Sequence, residues 1–227
     1  MMVAHVKVGP DDAVSALAPL DGLAAGGVAI HPHYRRLLVD TAPSSARNLA
    51  DFVHCLCKLH GCHPTMIETA LGRIGAGPQR DWAMASAAAF EQERHYLVTL
   101  TAAVGPLPST SGAAQTENTL KAQQHAIDTL GRSERNGCAL GAASALVADW
   151  AALRALLDHV AARHGVEAPA CALPEPAQGE AMRDRLEGAG PRRAFAFGAE
   201  QLLLQHAGLF DLLEARAEAR DKADGIG

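Results

Sequence analysis

From Ser44 onward the apolar residues recur three and four positions apart. Leu49, Phe52, Val53, Leu56 and Leu59 follow this spacing before Gly61 halts it. That period places one face of a helix against a core, and no strand shares it. Composition points the same way. The chain of 227 residues is 48% hydrophobic but only 4% aromatic, and its apolar mass is mostly Ala and Leu. These residues favour close-packed helices over a sheet of β-branched side chains. The expected fold is all-α, a multi-helix bundle with antiparallel central helices and an irregular N-terminal arm, of a size for one core.

Breakers divide the chain. Residues 1–43 contain Gly9-Pro10, Gly26-Gly27, Pro32 and Pro43 and read as the arm, with one short strand or helix around Val28 to Val39. Residues 44–165 form the central bundle. Its first helix ends at Gly61, and Thr65-Met66-Ile67-Glu68 has the spacing of a capping box for a short second one. A third helix runs from about Asp81 to Val104, stopped by Gly105-Pro106, and a fourth from about Ala113 to Leu130. The fifth extends from about Glu134, with Ser133 as its cap, to His164, closed by Gly165. Residues 166–179 hold Pro169, Pro174 and Pro176 and read as a linker. Residues 180–227 form a short helix near Glu180 to Glu187 and a longer one from about Ala194 to Lys222. They are too few for a core of their own and are expected to pack back on the bundle, within one structural domain.

A net charge of −5 with no run of Lys or Arg offers no footprint for nucleic acid or anionic lipid, so neither partner is expected. No leader pattern opens the chain and no segment reads as membrane-spanning. Five cysteines, an odd number, read as reduced thiols and a cytoplasmic location.

On the third helix, Trp82, Ala89, Glu93, Leu97, Leu100 and Val104 share one stripe with Glu93 at its centre. A buried carboxylate must be paired, protonated or metal-bound. Arg135, in line with Ala139, Leu146, Trp150 and Leu153 on the fifth helix, is the candidate partner. The competing reading gives Glu93 to a ligand or metal. On the last helix His206 sits among Phe195, Ala199, Leu202, Leu209 and Leu213, while His60 lies at the edge of the first helix's stripe. Each reads first as a packed imidazole and second as an acid/base or metal ligand. Glu117, Gln123 and Gln124 interrupt the thin apolar face of the fourth helix, which also carries His125. The candidate ligand-binding residues are therefore Glu93, Glu117, Gln124, His125, Arg135 and His206; no catalytic residue, cofactor or metal is assigned.

His54, Cys55, Cys57, His60, Cys62 and His63 form a metal-like run of letters. On a helix, however, Cys55 and Cys57 point about 200° apart, and no C-x-x-C pair occurs. The chain also lacks a Glu-x-x-His helix signature, a phosphate loop, a G-x-S-x-G elbow and an H-E-x-x-H pair. One structural pattern is sharp: Gly137, Gly141, Ala145, Ala148, Ala152 and Ala155 make a strip of small side chains that lets another helix approach closely. Its partner is read as residues 83–89 of the third helix, or the same strip in a second copy, which would make a homodimer.

The run Phe90-Glu91-Gln92-Glu93-Arg94-His95-Tyr96-Leu97, then Gly105-Pro106-Leu107-Pro108-Ser109-Thr110, then Ser133 to Ala143 and Asp149-Trp150, resembles a family of proteins without assigned function from sphingomonad-type alphaproteobacteria. The resemblance spans about the middle two-thirds of the chain and implies a bacterial helical domain, with nothing catalytic to carry over. In size and helix pattern the chain is also similar to haem-oxygenase-like and thiaminase-like bundles, by architecture alone. The reading reached is a non-catalytic helical bundle that binds a small ligand or a protein partner. The alternative is a haem-oxygenase-like enzyme in which Glu93, aided by His206, Glu117 or His125, is a metal ligand or general base. Three or more of these groups around one cavity would favour the enzyme.

Overall fold

The computed structural model describes residues 26–225, so most of the arm, residues 1–25, lies outside the described residues. Within them are eight α-helices and no strand, the all-α bundle that the periodicity requires. A 3-10 turn, Val28–Ile30, leads into α1 (Pro32–Val39), which settles the strand-or-helix alternative there as helix. Next come α2 (Ser45–His60) and α3 (Met66–Leu71). The capping box of α3 forms as expected: Glu68 N–H donates to Thr65 Oγ1 at 3.2 Å and Thr65 N–H to Glu68 Oε2 at 2.6 Å. Then follow α4 (Pro78–Ala103) and α5 (Ala113–Gly131).

The central helix, α6 (Cys138–His164), begins later than Glu134 because Gly137, at φ 96°, takes a left-handed conformation that interrupts the helical path. Its end at Gly165 is as expected. The short α7 (Pro176–Asp184) starts before Glu180, since Pro176 is preorganised for the first helical turn. Last is α8 (Ala189–Ala223), longer than its apolar stripe.

Helix α6 is buried around most of its circumference, with α1, α3, α4, α5, α7 and α8 packed about it. By length and composition it could cross a membrane, yet 83% of its most apolar 18-residue window is buried inside the protein. Its apolarity on every side is that of a core helix. Its closest neighbour is α8, and the small-residue strip explains why. Gly141 lies against the backbone of Phe195, Gly137 against Pro191, and Gly198 of α8 against Cys138. At Gly137 and Gly141 the strip therefore serves α8 of the same chain rather than residues 83–89, while Ala155 at its far end is exposed.

Helices α4 and α5, although joined directly, pack on α2, α3 and α6, and α5 also on α8, rather than on each other. The connecting loop, residues 104–112, consequently lies over α2, where His54 Nε2 meets the Gly105 carbonyl at 2.8 Å. Residues 166–175 have no helix, and residues 167–172 are exposed. Limited proteolysis is expected to cut first in that exposed stretch; initial cleavage within α6 would contradict the central place given to that helix.

Candidate functional site

Two polar clusters run through the interior, and a third lies beneath a surface cleft. The first surrounds Glu93, which is 0% exposed in the middle of α4. Its partner is Arg154, whose Nη1 donates to Glu93 Oε1 at 2.6 Å, while Trp150 Nε1 donates to Oε2 at 2.9 Å. Arg154 also donates to Asp158 Oδ1 at 2.7 Å and to the Pro169 carbonyl, and its guanidinium lies 4.5 Å from the centre of the Tyr96 ring. Tyr96 completes the ring of contacts by donating to Asp158 at 2.8 Å.

Arg135, expected as the partner of Glu93, is exposed in the turn before α6 and stacks over Phe197 at 5.8 Å. The Gly137 break removes it from the helical phase that would have aimed it at Glu93. The pairing of a buried carboxylate holds; its partner is corrected.

The second cluster is a chain of imidazoles. His206 Nδ1 donates to Asp149 Oδ2 at 2.6 Å, and the other carboxylate oxygen accepts the Val28 N–H at 2.8 Å. A carboxylate only accepts, so His206 carries its proton on Nδ1. Across the 2.9 Å between His206 Nε2 and His60 Nε2, one nitrogen donates and the other accepts. His60 packs edge-on against Trp150 and Phe90. Both histidines are buried, and burial, followed by the neighbouring His206, holds the His60 imidazole well below its ordinary titration range.

The third cluster centres on Asp51 of α2, 0% exposed. Arg216 grips it with two nitrogens, Nε to Oδ2 and Nη2 to Oδ1, both at 2.8 Å, and Arg220 Nη1 donates to Oδ2 at 2.6 Å. Arg216 also donates to Thr116 Oγ1 at 3.0 Å; Arg220 donates to Thr110 Oγ1 at 2.8 Å and Asn48 Oδ1 at 2.9 Å. These bonds tie the loop before α5 and the end of α8 to α2. Burial pushes the adjacent Cys55 thiol up to about 12, so it is not a thiolate nucleophile near neutral pH.

Above this cluster opens a cleft of about 540 Å³ between α2, the loop and α5, with Arg216 in its wall. Glu117 stands at its edge, exposed and bonded to Lys121 at 2.9 Å. Gln124 is partly buried with its amide near Cys62 Sγ at 3.1 Å, and His125 is exposed. Of the six candidates, Glu93 and His206 fall in separate interior clusters and the other four lie at or near the surface, so no cavity gathers three of them. Among the described residues no group of three or more His, Cys, Asp or Glu side chains is arranged to hold a metal ion.

Of the partners that sequence reasoning missed, Asp149 and Arg154 carried a usable signal, whereas Asp51, Arg216 and Arg220 did not. A charge on a helix that is otherwise apolar all round, as Asp149 and Arg154 are on α6, must have an internal partner.

Burial also depresses the His33 imidazole to about 4, from an ordinary value of 6.5, and lowers His159. Between those two values the unfolded chain binds more protons than the folded one, so stability is fully present above pH 6.5 and falls as the pH drops toward 4. Melting temperatures are expected to decline through this window, and less steeply in His33→Leu. A flat profile would show these imidazoles to be solvated.

What fold and site define is an all-helical bundle whose acid and base groups are bonded to one another in its interior. The chain belongs to DUF6975, a family of unknown function, whose model matches residues 23–221. No curated protein and no solved structure matches it.

Proposed function

We propose that the protein is a non-catalytic helical bundle that binds a small ligand in the cleft between α2, the loop before α5, and α5. The observation that carries this reading is the placement of the polar groups. Glu93 and His206, the two candidate residues inside the bundle, are bonded to partners from the same chain and line none of the described cavities. The cleft, by contrast, presents hydroxyls and cationic side chains beside apolar walls, the usual character of a small-molecule site. The haem-oxygenase-like alternative needed three candidates around one cavity and has no such grouping to support it. Five free cysteines support a reducing, cytoplasmic setting, and the quoted resemblance a bacterial one.

Native mass spectrometry in a mixed pool of small metabolites tests this reading. Adducts are expected with the natural chain and should disappear in Ala114→Trp, which fills the cleft from an exposed position. Turnover of any metabolite that depends on Glu93 or His206 would contradict it.

A further inference from the structure

Two guanidiniums, both more than nine-tenths buried, share the single carboxylate of Asp51. Among the described residues, the hydrogen-bonded cluster therefore sets two cations against one carboxylate. A buried charge left in this state is unfavourable. Arg216 lines the cleft while Arg220 lies behind it, its buried Nε without an acceptor among the described residues.

The donors in the wall are also under-used. A guanidinium carries five N–H groups, two of them on Nη1. Arg216 Nη1 meets one acceptor among the described residues, Thr116 Oγ1. Because that oxygen accepts, the hydroxyl proton remains to be donated, and unlike Thr119, which donates to the Gln115 carbonyl, Thr116 donates to no backbone carbonyl among the described residues. At the rim, Lys58 is exposed and forms no ion pair among the described residues. Glu117, the one acidic side chain among the described lining residues, is bonded to Lys121. Leu107, Ala113 and Leu120 supply apolar wall, and about 540 Å³ exceeds the space that an inorganic ion fills.

From this arrangement we infer that the cleft takes a small organic oxyanion, a carboxylate or phosphomonoester, with its charged end between Arg216, Thr116 and Lys58 and its apolar body against Leu107 and Leu120. The inference rests on the reading of the cleft as the binding site and adds the ligand's chemical class.

Calorimetric titration at constant ionic strength with benzoate, phenyl phosphate and the neutral analogue benzyl alcohol tests it. Saturable binding of at least one anion is expected, at least about tenfold tighter than benzyl alcohol, which corresponds to one electrostatic contact or more. The preferred anion identifies the headgroup. Lys58→Ala, an exposed substitution, should weaken that anion several-fold with the melting curve of the free protein unchanged. Thr116→Val should weaken it further. Equal binding of benzyl alcohol and the anions, abolished together by Ala114→Trp, would overturn the oxyanion inference while leaving the cleft as a binding site. Binding of none of the three would overturn both.

Discussion

Gly141→Leu is expected to lower stability by about 3 kcal/mol or more, at the upper end of what overpacking a close contact costs. A Cβ at position 141 would overlap the backbone of Phe195, and no rotamer change relieves a clash with backbone. Helices α6 and α8 would have to separate along the seam that also includes Gly137 and Gly198. The smaller change Gly198→Ala, aimed at the Cys138 carbonyl from the other side, should act in the same direction. Melting curves measure both. Since Gly141 is covered by α8 of the same chain, the native mass should remain unchanged; unaltered melting of both variants would place this seam in solvent.

Asp51→Ala should cost a comparable amount, roughly 3–5 kcal/mol, because it strands Arg216 and Arg220 without the carboxylate they share. The direction is specific to the side removed. Arg220→Met takes away the surplus charge and leaves the two-nitrogen grip of Arg216 on Asp51, so it should cost much less than Asp51→Ala. If Arg220→Met proves as damaging as Asp51→Ala, the cluster has no excess of positive charge, and the electrostatic character given to the cleft falls with it.

Features set by neighbouring residues were legible before any coordinates. Gly61, Gly105 and Gly165 each follow the last turn of a helix, the Thr65 capping box is local, and the phase of Glu93 follows from the period of its own helix. The partner of Glu93 was not legible in the same way. Arg154 sits on α6, which is apolar on all sides, so stripe phase does not distinguish one of its faces from another. Arg135 had the right phase only for a helix continued through Gly137, whose left-handed backbone breaks it.

His206 was recognisable as buried. Its partners come from α2 and α6, far away in sequence, and no local pattern joins them. Asp51 carries no such signal, since Asn48, Asp51 and Cys55 make one polar face of α2, while Arg216 and Arg220 lie beyond Leu213, the last residue of the apolar stripe of α8. The cleft depends on the loop before α5 lying over α2, a consequence of tertiary packing that no residue in the loop dictates alone.

The double-mutant cycle of Glu93→Gln and Arg154→Met, read by equilibrium denaturation alongside metal content, tests most directly whether the interior groups are structural. Arg154→Met should destabilise by about 3–5 kcal/mol by stranding the Glu93 carboxylate. The double substitution should recover much of that loss, since it removes both charges together. Additive single effects, or a Glu93→Gln protein that is as stable as the natural chain but has lost a bound metal or ligand, would contradict this and make Glu93 a functional carboxylate.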